Sequence, residues 1–348
     1  MIILPDNEKL QYSGRVDFAD RLCPVFVYPC TWVKIKFTGD ICRVIVENKS
    51  AYWDNYLGYV IDGVQGKAKL LQSGKHSLEI PVNNHEKEHE LMIFKRQDSC
   101  HIVKFYGIEL QDDAELGQLA PKPERRIEVY GDSVSAGEVA EAVEYAGKPD
   151  PVHNGEYSNG WYSYAWMTAR KLDAEIHDIA QGGVALLDGT GWFAAPDYIG
   201  MENVFDKIQY NPSLGQATYW DFGKYTPHVV IIAIGQNDNN PDDYMANEPD
   251  GQKANIWKEH YKKFVGRIRQ IYPKAVIILS TTILKHSSNW DKAIEEVRVS
   301  LNDEKIYHFL YSNNGAGTPG HIRVQEAEQM SEELSGFISS LGDDIWND

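Results

Sequence analysis

The first third of the chain alternates short apolar runs with glycine and Asx turns, without intervening stretches of helical period. Short strands at this spacing predict an antiparallel sandwich or jelly roll that occupies residues 1–112. The predicted strands cover residues 32–37, 42–47, 56–61, 76–82, 90–95 and 105–110.

Beyond residue 126, strand-length apolar runs alternate with runs of helix length. This alternation predicts a parallel sheet covered by helices on both faces, over residues 127–348. Between the two regions, residues 113–126 are charged, include Pro121 and Pro123, and are predicted to be a linker. The second region has predicted strands at 229–234, 275–281 and 305–310 and predicted helices at 161–172, 252–272, 291–301 and 322–341.

Four polar clusters stand where predicted strands end or where a predicted helix is about to begin. Because the carboxyl ends of parallel strands share one edge of the sheet, and ligands bind at that edge, the clusters are expected to meet there. The clusters are Gly131-Asp132-Ser133, Gly182-Gly183, Gly235-Gln236-Asn237-Asp238 and Gly317-Thr318-Pro319-Gly320-His321.

Serine, glycine, asparagine and histidine in this order resemble the SGNH (GDSL-type) hydrolases, over residues 126–341. Additional cues resemble carbohydrate esterase family 2, namely Gly14-Arg15-Val16, Ile61-Asp62-Gly63 and Tyr157-Ser158-Asn159-Gly160-Trp161. The resemblance implies an α/β fold, a three-layer α/β/α (flavodoxin-like) hydrolase domain preceded by an all-β jelly-roll or sandwich domain. It also implies a serine esterase that deacetylates acetylated xylan or oligosaccharides.

The resemblance assigns a role to each cluster. Ser133 would be the nucleophile and His321 the general base, because a serine hydroxyl is a poor nucleophile until a base takes its proton. The oxyanion donors would be the Ser133 N–H, the Gly183 N–H and the Asn237 side-chain amide. Gly182 stays an alternative donor. An alignment of residues 178–180 with the Asn-x-Ala strand end of the family favours Gly183.

One position departs from the SGNH pattern. Thr318 stands where the family usually has an aspartate, three residues before the histidine. Either the site is inert or another acceptor orients the imidazole. Since family 2 carbohydrate esterases can dispense with this acid, we expect a Ser133–His321 dyad in which a backbone carbonyl of the histidine loop holds Nδ1–H. The histidine pKa should then lie near or below about 6.5. Asp132 and Asp238 are interpreted as turn-forming residues.

Charge narrows the range of partners. The chain has 34 basic and 51 acidic residues and a formal net charge of −17, which argues against nucleic-acid and membrane-surface binding and favours a neutral substrate. No apolar run approaches the roughly 20 residues of a membrane span. The start of the sequence lacks signal-peptide features, so the chain as written is predicted to be cytoplasmic, although a secreted enzyme without its leader would look the same. The oligomeric state stays open.

The cysteines and one histidine motif are further candidates for disulfide or metal sites. Four cysteines could pair in a secreted protein, but their spacing favours buried free thiols. The segment His85-Glu86-Lys87-Glu88-His89 matches a zinc-peptidase motif, yet Pro81 and the following strand-like residues leave no room for the helix it needs. We therefore predict a charged hairpin loop, and neither a metal nor an organic cofactor.

The chain contains 9 Trp and 20 Tyr, and aromatic faces can stack on sugar rings. Trp192 and Trp290 are the candidates for substrate contact. Two other functions stay open. One is hydrolysis of other short-chain esters or thioesters, which the same machinery would support. The other is carbohydrate binding by a protein whose esterase site is inert, which the missing acid allows.

Overall fold

The computed structural model describes residues 1–82, 88–193 and 199–347. Its first region consists of two antiparallel sheets of five strands each. One sheet has the order β1-β10-β5-β8 with β3 on β10, and the other has the order β2-β4-β9-β6-β7. The strands are β1 Ile2–Ile3, β2 Gln11–Ser13, β3 Val25–Phe26, β4 Trp32–Thr38, β5 Cys42–Ser50, β6 Tyr56–Ile61, β7 Val64–Lys69, β8 Lys75–Glu79, β9 Glu88–Lys95 and β10 His101–Leu110. We call these ten strands and their loops, residues 1–110, the sandwich.

The core of the sandwich follows the two-residue period of its strands. In β4, Val33, Ile35 and Phe37 are fully buried and alternate with partly exposed lysines. In β5, Val44 and Val46 are buried in the same cluster. Alternation of this kind places one face of each sheet against the other and leaves polar side chains outside.

The second region is built on a parallel sheet of five strands in the order β12-β11-β15-β16-β17. In chain order the strands are β11 Arg125–Gly131, β12 Ala174–Ala180, β13 Lys207–Gln209, β14 Thr218–Tyr219, β15 Val229–Ala233, β16 Val276–Ser280 and β17 Ile306–His308, with β13 and β14 forming a separate hairpin. The helices are α1 Ser133–Ala136, α2 Tyr164–Lys171, α3 Met201–Val204, α4 Tyr244–Asn247, α5 Gln252–Ile271, α6 Ser288–Leu301 and α7 Val324–Ser340.

Helices cover both faces of this sheet. Side chains of α5 and α6 pack with Ile232 of β15 in one cluster, while those of α2 and α7 pack with Ile231 in another. Neighbouring residues of a strand thus face opposite helical layers, which explains why β15 reads as a continuous apolar run. An antiparallel region followed by a three-layer α/β region confirms the predicted fold class.

The strand order reverses at β11, since β12 lies on one side of it and β15 on the other. In doubly wound sheets the crevice at such a reversal, beyond the carboxyl ends of the strands, is where ligands bind. β11, β12 and β15 are the strands that precede Ser133, the glycine pair and Asn237.

The sandwich and the parallel-sheet region share buried contacts. Trp32 and Phe94 of the sandwich belong to the same apolar cluster as Trp166 of α2. Arg15 and Glu128 are both fully buried, and their charged groups lie 3.2 Å apart across the two regions. The division of the chain into domains at residues 112 and 127 stays a prediction, and β11 already begins at Arg125.

Several smaller predictions can be compared with the structure. The predicted helix at 161–172 is a 3-10 turn, Gly160–Tyr162, followed by α2, because the Ser163 hydroxyl accepts from the Trp166 N–H and starts a new helix. His89 lies in β9 with Nδ1 2.6 Å from Asp62, not in a hairpin loop, while residues 85–87 of that motif lie outside the described residues.

The four cysteines are free thiols, and three of them are buried, whereas Cys23 is partly exposed. Among the described residues, no helix has both the length and the apolar character required to cross a membrane.

Candidate active site

Ser133 is the first residue of α1, directly beyond β11. Asp132 caps this helix, since its Oδ1 accepts from the Val134 N–H at 2.9 Å. The helix lasts only four residues because Gly137 ends it with a left-handed φ of 72°, and a Cβ there would collide with the Asn159 carbonyl oxygen. The Glu138 N–H then donates to the Ser133 carbonyl at 2.9 Å. This tight turn fixes Ser133, which is 4% exposed, at the edge of the sheet.

The glycine pair follows β12. The Gly182 N–H donates to Asp98 Oδ2 at 2.8 Å, whereas the Gly183 N–H has no hydrogen-bond partner within the described residues. Gly183 has a φ of 73°, and a Cβ there would lie 2.8 Å from the Phe193 nitrogen. Only glycine fits this position without strain. Of the two candidates, Gly183 therefore offers the available N–H.

Asn237 lies in a 3-10 turn, Gln236–Asn239, beyond β15. Its Nδ2 donates to Asp132 Oδ2 at 3.0 Å and to the Val184 carbonyl at 3.1 Å. Both amide hydrogens thus have partners, so a bond to an oxyanion would have to share or replace one of them. Asn237 is held beside the serine turn, because Asp132 also caps α1.

Asp132 and Asp238 both serve as buried acceptors. Burial raises the pKa of Asp132 to about 6, against the opposing effect of hydrogen bonds from Gln236 and Val134. Burial also raises the pKa of Asp238 to about 7, although Leu186 N–H donates to this carboxylate at 2.9 Å. Asp238 therefore ties the segment after β12 to the turn after β15.

His321 lies in the loop before α7, and the expectation that a carbonyl of this loop orients it is wrong. His321 Nδ1 lies 2.6 Å from Asp150 Oδ2, and the His321 N–H donates to Asp150 Oδ1 at 2.9 Å. A carboxylate can hold the Nδ1–H tautomer and leave Nε2 free to accept a proton. Thr318 serves a different purpose, since its hydroxyl donates to the Gly320 carbonyl at 2.6 Å and so stabilises the turn.

Asp150 is itself fixed by Arg323, which is fully buried and donates to Asp150 Oδ1 at 2.8 Å. Burial opposes ionisation of Asp150, but hydrogen bonds from His321 and Arg323 outweigh it and hold the pKa of this carboxyl well below its usual range. Burial also lowers the pKa of His321, yet its acidic surroundings, with the Asp150 carboxylate bonded at Nδ1, outweigh that effect and the net shift is upward. The prediction that this pKa lies near or below about 6.5 is therefore wrong.

Sequence reasoning missed Asp150 because it stands 171 positions before the histidine, not three. It belongs to the long connection between α1 and α2, in the sequence Lys148-Pro149-Asp150-Pro151. The available signal was an acid between two prolines, which hold the backbone in a defined conformation, in a segment that starts at the serine turn.

A cavity of about 840 Å³ opens at this edge of the sheet, and Ser133, Gly183, Asn237 and His321 all line it. Trp192 also lines the cavity and is 65% exposed. Trp290 does not.

The prediction that Trp290 contacts substrate is wrong, because this side chain is fully buried on the inner face of α6. Its Nε1–H donates to Asp243 Oδ1 at 3.0 Å, and its ring packs edge-on against Trp257 of α5.

The sandwich contributes a wall of the cavity through Tyr52 and Trp53. Trp53 has a φ of 58°, a conformation that bulky residues seldom adopt and that is often retained at ligand sites. Its ring centroid lies 4.3 Å from that of His153, and the Tyr52 ring stands perpendicular to it at 4.8 Å. Neither residue was singled out from the sequence, since aromatic residues in a strand-rich region are usually core.

A five-stranded parallel sheet with serine, glycine, asparagine and histidine at one edge of its crevice defines an SGNH-type hydrolase fold. Residues 12–123 match the family description Carbohydrate esterase 2 N-terminal. The resemblance predicted from the sequence is thus confirmed: the chain is similar to the family 2 carbohydrate esterases, and its fold is of the SGNH type.

Two relatives in sequence cover nearly the whole chain. The cellulase/esterase CelE of Acetivibrio thermocellus is 26% identical over 348 residues, which are 96% of this chain and 40% of that protein. The acetylxylan esterase / glucomannan deacetylase of Cellvibrio japonicus is 26% identical over 353 residues, which are 98% of this chain and 91% of that protein. This chain therefore spans well under half the length of the first relative.

The fold has a solved counterpart of nearly identical extent. A family two carbohydrate esterase from Clostridium thermocellum, solved in complex with cellohexaose, superimposes with a TM-score of 0.80 at 24% identity. The match covers 97% of this chain and 100% of that one. Sandwich and α/β region thus occur together in the same arrangement.

Proposed function

We propose that this protein is a carbohydrate O-acetyl esterase that removes acetyl groups from acetylated xylan or other plant-derived oligosaccharides. The observation that carries the proposal is the carboxylate of Asp150 at Nδ1 of His321, in a cavity that Ser133 and Gly183 also line. A buried serine near a histidine is common, but a histidine whose tautomer is fixed by an anchored carboxylate is the arrangement of a working general base.

The residues have the following roles. Ser133 Oγ attacks the acetyl carbonyl carbon and gives its proton to His321 Nε2, while Asp150 stabilises the imidazolium. The tetrahedral oxyanion receives hydrogen bonds from the N–H groups of Ser133 and Gly183, with Asn237 as a third donor. The bond to the sugar oxygen then breaks, and the imidazolium returns its proton to that oxygen.

Deacylation repeats these steps with water. His321 accepts a proton from the water molecule that attacks the acetyl-serine, acetate leaves, and the proton returns to Ser133. Each half reaction needs a neutral imidazole at the start. The raised pKa of His321 therefore means that activity rises with pH through a value above the ordinary one of about 6.5.

Two further observations support a sugar ester as the substrate. Aromatic side chains from both regions line the cavity, Trp53 from the sandwich and Trp192 from the α/β region, and aromatic faces stack on sugar rings. The relative from Cellvibrio japonicus carries the name acetylxylan esterase / glucomannan deacetylase. The anchored acid also supports an active enzyme over a carbohydrate-binding protein with an inert site.

The test is turnover of p-nitrophenyl acetate, acetylated xylan and an acyl-thioester by the purified protein and by Ser133→Ala. We expect acetate release from xylan, and a loss on the order of 10⁶ in kcat for the variant, as for other serine hydrolases. Ser135→Ala is the matched control, because Ser135 lies in the same helix but bonds to Tyr164. A serine-directed sulfonyl fluoride should label Ser133.

Two results would contradict the proposal. Undiminished activity of a folded Ser133→Ala variant would exclude this nucleophile. Binding of acetylated oligosaccharides without turnover of any ester would favour the binding protein instead, and preference for the thioester would move the enzyme to another substrate class.

A further inference from the structure

Glu138 is a buried carboxyl group that faces the reacting side of His321. Its Oε2 lies 3.8 Å from His321 Nε2, the nitrogen that must exchange protons with Ser133 and substrate. Its other oxygen, Oε1, lies 3.2 Å from His153 Nε2. The Gly137 turn fixes the backbone that carries this side chain, because the Glu138 N–H donates to the Ser133 carbonyl. Ser133 and Glu138 therefore belong to the same short turn.

The titratable neighbours of Glu138 are histidines and other carboxyl groups. Glu138 is 8% exposed, and no lysine or arginine forms an ion pair with it in the described parts of the chain. Glu138 Oε2 and Asp98 Oδ2 from the sandwich both lie beside the Gly182 α-carbon, since a Cβ placed on that glycine would collide with each of them. Two carboxylates beside the same glycine would repel each other, which favours the protonated form of one of them.

We propose that Glu138 works as a neutral acid in this site, and that turnover requires it to keep its proton. This inference rests on the proposed esterase function and adds a group to it. As a carboxylate, Glu138 would pair with the imidazolium at Nε2 and retain the proton that the leaving sugar oxygen needs. It would also place a negative charge beside Gly182 and Gly183, where the oxyanion develops.

The groups that face Glu138 determine the pH at which its carboxyl loses the proton. Burial raises the pKa of Glu138 to about 8; His321 opposes the shift, and Asp98, Asp150 and Asp132 reinforce it. Burial and the neighbouring His321 lower the pKa of His153 to about 4, so His153 is neutral where the enzyme works and supplies no cation to Glu138. The carboxyl thus loses its proton only on the alkaline side.

The experiment compares pH profiles of p-nitrophenyl acetate hydrolysis for the wild type, Glu138→Gln and Glu144→Gln. Glutamine keeps the shape of the neutral acid but cannot ionise, and Glu144 is an exposed glutamate on the same connection. We expect the wild type and Glu144→Gln to lose up to about tenfold in kcat/KM per pH unit above about pH 8, as a single inactivating ionisation gives. Glu138→Gln should lack this loss, after circular dichroism has shown that each protein stays folded.

A wild-type profile that stays level to pH 10, or an alkaline loss that persists in folded Glu138→Gln, would overturn the inference while leaving the esterase proposal intact. Absence of ester hydrolysis by the wild type at every pH would instead contradict the esterase proposal. Should Glu138→Gln not fold, the rate of Ser133 labelling by a neutral sulfonyl fluoride is measured on the wild type. A labelling rate that falls above about pH 8 supports the inference, and a level rate overturns it.

Discussion

The two halves of the candidate site are built by different means. The serine half stands on β11, β12 and β15, whose strand order brings Ser133, Gly183 and Asn237 to one edge of the sheet. The histidine half has no such frame. His321 and Asp150 come from two loops far apart in sequence and are joined by hydrogen bonds, with Arg323 completing the group. The parallel sheet positions the serine half, whereas hydrogen bonds between side chains hold the histidine half.

The sandwich adds side-chain contacts to the serine half. Asp98 accepts from the Gly182 N–H and from Gln181 Nε2, at 2.8 and 2.7 Å, and thereby holds the glycine pair from outside the parallel sheet. Tyr52 accepts from the same Gln181 side chain at 3.1 Å. The region that carries neither the proposed nucleophile nor the proposed base therefore holds the segment next to Gly183, the proposed oxyanion donor.

The largest test of this comparison is Asp150→Asn. An asparagine keeps the shape but cannot hold the Nδ1–H tautomer, so kcat should fall by about 10⁴ if Asp150 is the third member of the triad. The pKa of His321 should also fall, because a nearby negative charge is lost, and the acid limb of the pH profile should move to lower pH. Both are read from kcat and kcat/KM against pH.

Thr318→Val is the control, at the position where the wider family has its acid. It removes the hydrogen bonds of this hydroxyl to the backbone of Gly320 and His321 but leaves the carboxylate at Nδ1, so it should cost far less than Asp150→Asn. Equal losses in the two variants would mean that general disturbance of the histidine loop, not the missing carboxylate, accounts for the effect.

A smaller effect is expected from Asp98→Ala, which frees the glycine pair from the sandwich. One misplaced oxyanion donor costs up to about 10²–10³ in kcat, so a loss of this size or less should appear with little change in KM. The free energy of unfolding should fall by about 1–3 kcal/mol, because buried donors lose their acceptor.

Asp62→Ala provides the comparison, since Asp62 also accepts a backbone N–H in the sandwich, from Glu90 at 3.0 Å, but does not line the cavity. It should change stability without changing kcat. A loss of kcat in both variants would show that any weakening of the sandwich reaches the site and that Asp98 has no special role.

The smallest expected effect concerns the aromatic walls. Trp53→Ala and Trp192→Ala should each raise KM for acetylated xylan, with little change for p-nitrophenyl acetate, because only a sugar chain reaches the rim of the cavity. Stacking contacts of this kind contribute about 0.5–1.5 kcal/mol, or roughly tenfold at most. Equal KM changes for both substrates would place the rings against the acetyl group and not against sugar.

The contrast between the halves also explains what could be predicted from the sequence. Apolar runs predict buried strands, and the alternation of strands with helices predicts that these strands are parallel. The polar residues after Gly131 and Gly235 are then expected at one edge of the sheet. Asp150 could not be found this way, because a loop residue is placed by contacts that have no periodic signature. The prediction of substrate contact by Trp290 was wrong for a related reason, since composition does not tell which aromatic residues of a helix face the core.

The buried pair of Arg15 and Glu128 has a consequence for how such a chain can be divided. Arg15 also donates to the Tyr130 hydroxyl at 3.0 Å and to the Phe205 carbonyl. One side chain of the sandwich thus pairs with Glu128 and bonds to two further groups of the α/β region. Removing one partner of a buried ion pair costs about 3–5 kcal/mol, a large share of the stability of a typical domain. An α/β region expressed alone would carry an uncompensated charge in its interior. Gene fusions, truncations and recombination between relatives should therefore keep the sandwich and the α/β region together.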